Sequence, residues 1–133
     1  MNTGREKQPT IFLIEEDDET RRALVRSLRS YGYRVSVAFD EQDALERASA
    51  GGVEADLVLV NLVGKTADEV LAVGRRVREH GKQDGHTPLV VMPERYDSGL
   101  EDTEVNAGGN DWVFYLGEEP DRLRDLLARL TGQ

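Results

Sequence analysis

A parallel α/β sheet covered by helices on both faces is the fold class this sequence predicts. Three observations point to it: five short apolar runs, helical apolar stripes between them, and glycines that close most of the stripes. The first run, Ile11 to Ile14, stops abruptly at Glu15-Glu16-Asp17-Asp18-Glu19. Tyr33 to Phe39 alternates like a strand, and Leu57 to Val60, Leu89 to Met92 and Trp112 to Leu116 complete the set. Apolar runs of four or five residues suit strands buried on both faces. Leu24, Leu28 and Tyr31 form a stripe ending at Gly32, and Ala44, Leu45 and Ala48 form a shorter one before Gly51-Gly52. Val70, Val73 and Val77 continue to Gly81. Leu123, Leu126, Leu127 and Leu130 follow Pro120, which suits a first helical turn. Between Ser98 and Gly108 only Leu100 and Val105 are large and apolar, so a short or frayed helix is expected there. Five βα units imply right-handed crossovers and a single flavodoxin-like (βα)5 doubly wound parallel sheet, order 2-1-3-4-5.

The 133 residues support one domain, expected over 10–131, behind a disordered or extended tail at 1–9. Cysteine is absent, which removes disulfides, thiol nucleophiles and thiolate metal sites and fits a reducing compartment. Seventeen Lys and Arg against 26 Asp and Glu give a net charge of −9, which opposes binding to nucleic acid or an anionic membrane. No apolar stretch approaches the roughly 20 residues of a membrane span. The opening MNTGREKQPT has no apolar signal region, so a cytoplasmic location is expected.

Ligands of such sheets bind outside the carboxyl ends of the strands, at the switch point. Those ends carry Glu15 and Glu16 after the first strand and Asn61 after the third, with Pro93 after the fourth and Tyr115 near the end of the fifth. Gly64-Lys65-Thr66 follows a strand and opens a helix, but a phosphate loop needs glycine at position 59, which is Leu59. Acidic residues after the first strand would repel a flavin phosphate, and Asn61-Leu62-Val63 lacks the paired aspartates of a toprim-like nuclease.

At these residues the chain resembles response-regulator receiver domains, from about Thr10 to Leu130. IFLIEEDDETRRAL resembles their opening strand, acidic cluster and first helix, and YGYRVSVAFDEQDAL their second βα unit. ADLVLVNL resembles the third strand, TPLVVM the fourth, and AGGNDWVFYL their AGADDYLxKP segment. The resemblance implies a site in which two acidic residues hold magnesium and an aspartate after the third strand accepts a phosphoryl group. A Ser or Thr and a Lys then hold that group. Here the acidic pair is matched by Glu15 and Glu16, the acceptor by Asn61, the hydroxyl residue by Pro93, and the lysine by Tyr115, with Leu116 in place of the following proline.

Each departure has a chemical consequence. An amide nitrogen does not serve as the carboxylate nucleophile, proline has no hydroxyl, and a phenol brings no positive charge. Magnesium favours carboxylates, so its binding should be weak or absent, with Glu15 and Glu16 the remaining weak candidates and no other cofactor expected. The resemblance therefore implies a pseudo-receiver: not an enzyme, but a phosphorylation-independent protein–protein interaction module of bacterial two-component-type signalling. The alternatives are an unconventional phosphoacceptor using Asp17 or Asp18, and a small metal-dependent enzyme built on the acidic pocket.

Glu15 to Glu19 reads first as a solvated acidic turn, with Glu15 part-buried and its pKa raised. The Asn61 amide either caps the loop toward Gly64 or locks the pocket through Glu16 or Tyr115. Trp112 stands where the family often carries an aromatic that reports phosphorylation. With Phe114 it marks a candidate interaction surface, and a homodimer through the side of the fourth strand and fifth helix is a candidate assembly. Arg21, Arg22, Arg26, Arg29, Arg75, Arg76 and Arg78 read as solvated helix faces, and His80 and His86 as loop residues.

Overall fold

A computed structural model describes residues 8–51, 54–81 and 86–132 of the chain. The tail at 1–7, Gly52 and Val53, the stretch 82–85 between the two histidines, and Gln133 lie outside the described residues. In chain order the elements are β1 (Thr10–Glu15), α1 (Asp18–Ser30), β2 (Arg34–Ala38), α2 (Glu41–Ser49), β3 (Leu57–Leu62) and α3 (Ala67–His80). They continue with β4 (Leu89–Pro93), β5 (Glu104–Asn106), β6 (Asp111–Phe114) and α4 (Pro120–Thr131).

The sheet runs β2-β1-β3-β4-β6-β5. Its first five positions are parallel and follow the expected order, with β6 in the fifth place. Outside them lies a short edge strand, β5, antiparallel to β6. The helix expected between Ser98 and Gly108 is therefore replaced by a hairpin, and the fourth βα unit lacks its helix while the fifth, β6 with α4, is complete. The reason is local: Gly99, Asp102, Gly108 and Gly109 all adopt positive φ, which interrupts a right-handed helix. With few apolar residues to bury, the segment pairs its backbone with β6 instead, Val105 facing Val113 across the ladder.

Side chains on the strands alternate between two cores. Phe12, Ile14, Val58, Val60, Leu89, Val91 and Val113 pack under α2 and α3. Ile11, Leu13, Leu57, Leu59, Val90, Met92 and Phe114 pack under α1 and α4. Coverage of both faces explains why the central strands are apolar throughout. The helices begin where their caps dictate. Asp17 accepts from Thr20 N–H at 2.8 Å, Asp40 accepts from Asp43 N–H at 2.8 Å, and Thr66 and Glu69 form a reciprocal capping box.

Helix α3 reaches the sheet closely because residue 74 has no side chain. A Cβ there would lie 2.5 Å from Cδ1, 3.0 Å from Cδ2 and 3.3 Å from Cγ of Leu89, which is fully buried. Gly74→Ala is expected to destabilise the domain: overpacking costs about 1–3 kcal/mol, against roughly 1 kcal/mol regained in helix propensity. A urea titration of the two proteins checks it.

Candidate functional site

The carboxyl ends of β1, β3, β4 and β6 come together at one edge of the sheet. The parallel register sets Glu15 directly beside Asn61. Both point toward the α1 and α4 layer, like Leu13 and Leu59 two residues earlier in each strand. Tyr115, one residue beyond Phe114, packs instead against the core under α2 and α3. The five predicted pocket residues therefore share an edge but divide between the two faces of the sheet.

Glu15 is 1 % exposed, the more deeply buried of two buried carboxylates among the described residues. The side-chain amide of Asn61 donates to its Oε1 at 2.6 Å, and the N–H of Asp17 donates to its Oε2 at 3.1 Å. Burial pushes the Glu15 carboxyl above its ordinary pKa, and the two hydrogen bonds pull it back only in part. The sequence anticipates this burial. It misplaces the partner of Asn61, whose amide is held by Glu15 and not by Glu16 or Tyr115. The cause is the register: residue 61 lies opposite residue 15, and Glu16 follows the strand on its exposed side.

Glu16 instead accepts the N–H of Val63 at 2.9 Å, and Glu94, next to the buried Pro93, accepts the N–H of Gly64 at 2.6 Å. Arg95 N–H donates to the Lys65 carbonyl at 3.2 Å, tying the same two loops together. The acidic pair is thus turned to separate tasks, one inward on Asn61 and one outward on a loop amide. Among the described residues no three His, Asp or Glu side chains converge as a metal-holding group. Glu15 and Glu16 are engaged separately, and the third position is a neutral amide, so the set does not fit a magnesium ion.

Arg21 departs from the solvated face predicted for it. Its side chain is only 14 % exposed, pairs with Asp18, donates to the Glu15 carbonyl at 2.9 Å and lies 4.6 Å from the Phe39 ring centroid. Arg78 also turns inward, onto the buried Asp111, while Arg75 and Arg76 stay on the exposed face yet pair with Asp111 and Glu41. Helical spacing alone does not reveal these contacts, because each acidic partner is brought in by another element or by the helix's own first turn.

Phe114 is corrected outright as an interaction residue. It is 1 % exposed and belongs to the core, because it is on the inward phase of β6. Trp112 is half-buried at the edge of the same layer, with the Arg129 guanidinium 5.8 Å from its ring centroid and Glu104 paired to that arginine. Its indole N–H is buried without an acceptor. Tyr115 has an aromatic neighbour that the sequence reading missed: the Tyr96 ring lies 4.9 Å away, inclined at 57°, and Tyr96 Oη donates to the Leu116 carbonyl at 2.9 Å. Asp17 and Asp18, the alternative acceptors, are committed to Thr20 and Arg21, and the Thr20 N–H holds the Asp17 carboxyl below its usual range.

Glu15→Gln isolates the cost of the buried charge. A carboxyl with a raised folded-state pKa stabilises the fold fully only below its unfolded value and loses that contribution as pH rises through the folded value. The wild type is therefore expected to gain stability relative to Glu15→Gln as pH falls from 7 to about 4. Urea unfolding at several pH values reads this directly; an unchanged difference would restore an ordinary carboxyl.

No protein-family model matches the chain. Its similarities to single proteins are consistent nonetheless. It is 31 % identical over 122 residues to an uncharacterized transcriptional regulatory protein of Bacillus subtilis, YkoG, covering 92 % of this chain and 49 % of that protein. It is 30 % identical over 124 residues to the response regulator MprA of Mycolicibacterium vanbaalenii, covering 91 % and 51 %. The chain thus spans about half the length of these relatives. Among solved structures, the receiver domain of a sensor histidine kinase from Pseudomonas aeruginosa superimposes with a TM-score of 0.67 at 23 % identity, covering 96 % of this chain and all of that one. That domain carries magnesium in its active-site cleft. A Thermotoga maritima response regulator, TrrA, solved with magnesium and beryllium fluoride, gives 0.66 at 18 % identity, covering 92 % and 99 %. At these identities the superpositions establish the fold.

Proposed function

The chain belongs to the receiver-domain family of response regulators, and from that premise we propose that it works without phosphoryl transfer, as a pseudo-receiver that signals by protein–protein contact. One observation carries the reading. At the position of the acceptor carboxylate stands the Asn61 amide, donating to the buried Glu15 at 2.6 Å. An acyl phosphate needs a carboxylate oxygen free to attack phosphorus, and this site offers a nitrogen already committed as a donor. Pro93 supplies no hydroxyl and Tyr115 no cation, so charge building on a phosphoryl group would meet the carboxylates of Glu15, Glu16 and Glu94 instead.

Three loops that could rearrange around a phosphoryl group are here tied by the chain's own side chains: Glu16 to Val63, Glu94 to Gly64, and Arg21 to Glu15 and Phe39. A rim held in this way favours one surface over a switch between two. Partner proteins of the signalling pathway would read that surface by shape and charge, with no turnover and no cofactor. Trp112, under Arg129 on the β6 and α4 side, is the proposed contact residue for a partner or a second copy.

The deciding experiment is a titration with Mg²⁺ and then beryllofluoride, followed by Trp112 fluorescence and backbone amide shifts. No response from a folded protein is expected. Shifts clustered at Glu16, Asn61 and Tyr115 would sink the proposal.

A further inference from the structure

The segment from Glu94 to Thr103, whose second half overlaps the Ser98–Gly108 stretch expected to be helical, crosses the carboxyl edge of the sheet without regular structure. It is nonetheless fastened at both ends. At its start Glu94 holds Gly64, and Tyr96 leans on Tyr115 while its hydroxyl donates to the Leu116 carbonyl. At its end the Asp102 N–H donates to the Tyr115 carbonyl at 2.7 Å, and Tyr115 N–H donates to the Thr103 carbonyl at 3.0 Å.

Asp102 carries the feature that singles this segment out. Its φ of 63° makes it the one non-glycine residue in the left-handed region among the described residues, a conformation that L side chains other than Asn and Asp seldom adopt. Such a residue persists where its surroundings over-determine it. Here they do so through its carboxylate, whose Oδ1 accepts the N–H of Glu119 at 3.3 Å. Glu119 is the N-cap of α4 and makes no side-chain cap of its own, so the acceptor for the helix start comes from 17 residues upstream. The carboxylate is seated against Gly117, where a Cβ would lie 2.5 Å from Oδ2.

We propose that residues 94–103 form a latched strap: Asp102, seated on Gly117 and capping α4, keeps Tyr96 over Tyr115, so that the edge of the sheet and the N-terminus of α4 open and close as one unit. The strap is mostly exposed and buries little apolar surface, which places its opening at the low-energy end of the domain's motions. Opening uncovers Tyr115 at one end and leaves the first turn of α4 without its acceptor at the other. A partner that grips the start of α4 would thereby shift the population of the open edge. The inference stands on the strap's own contacts and does not require the pseudo-receiver reading.

Amide hydrogen exchange of the whole chain tests it. Asp102→Ala removes the carboxylate and keeps the strain. It is expected to speed exchange about tenfold at Glu119 and, by the same factor, at Tyr115, with β1 amides unchanged. Gly117→Ala, which fills the seat while leaving Asp102 in place, is expected to do the same. Asp102→Asn, which tolerates the left-handed region and still offers Oδ1, is expected to stay near wild type. Tyr96→Phe cuts only the far end, at Leu116, and is expected to speed exchange at Glu119 as well. If Asp102→Ala affects Glu119 but not Tyr115, or if Tyr96→Phe leaves Glu119 unchanged, the two ends are independent and the strap is wrong.

Discussion

Replacing Asp111 with alanine is expected to lower the unfolding free energy by about 3 kcal/mol, the low end of the range for breaking a buried ion pair. Asp111 is 6 % exposed at the start of β6 and holds two guanidinium groups of α3. Arg78 reaches it at 2.6 and 3.3 Å and also donates to the Thr87 carbonyl at 3.1 Å. Arg75 reaches it at 2.8 Å and donates to the Ala107 carbonyl at 3.2 Å. The alanine variant would leave two cations facing each other with the common anion gone. The Arg78 side chain, at 13 % exposure, bears most of that loss, while Arg75, at 46 %, is relieved by water. For a domain of this size the loss corresponds to a fall in Tm of roughly 10 °C. Burial alone would raise the Asp111 carboxyl; its hydrogen bonds and charge interactions with Arg78 and Arg75 outweigh burial and hold it below its ordinary pKa. A lowered folded-state pKa gives stability that is present above the unfolded value and lost as pH falls through the folded one. The gap between wild type and Asp111→Ala is therefore expected to be full at pH 7 and to narrow below about pH 4. Denaturant titrations across that range check both the size and the sign.

Asn61→Asp is the second large effect, and it separates chemistry from position. The substitution restores a carboxylate after β3 but places it against the buried Glu15, where the present contact is 2.6 Å. A donor becomes a second acceptor, and both groups want to ionise. Removing the donor from a buried acceptor costs about 1–3 kcal/mol, and more when the acceptor is charged. The loss is expected at neutral pH and should shrink on acidification, as the pair comes to share one proton and titrates as a unit. The variant is expected to remain unlabelled by a small phosphoryl donor such as acetyl phosphate, because Pro93 and Tyr115 still provide neither hydroxyl nor cation. Stable labelling of Asn61→Asp would show that those two positions are dispensable.

The strands and most helices were legible because their signals are local. Ile11 to Ile14 or Leu89 to Met92 is apolar along its whole length only where both faces are covered, and Asp17, Thr66 and Pro120 announce helix starts by their own chemistry. The failure at Ser98 to Gly108 is instructive. The poverty of apolar residues was visible, yet the alternative to a weak helix, pairing with β6, depends on backbone groups contributed by another segment.

The chemistry on offer at the carboxyl edge is readable from residue identities alone: an amide at Asn61, a proline at Pro93, a phenol at Tyr115 and carboxylates at Glu15 and Glu16. Side-chain identity is enough to state which nucleophile, hydroxyl or cation a position lacks. Which groups meet is settled by the folded arrangement. It paired Asn61 with Glu15 instead of Glu16, buried Phe114, turned Arg75 and Arg78 onto Asp111, and set Asp102 against Gly117. These contacts join residues from 15 to 46 positions apart in the chain. Their partners are selected by strand register and helix placement, and those emerge only when the two cores close on the sheet.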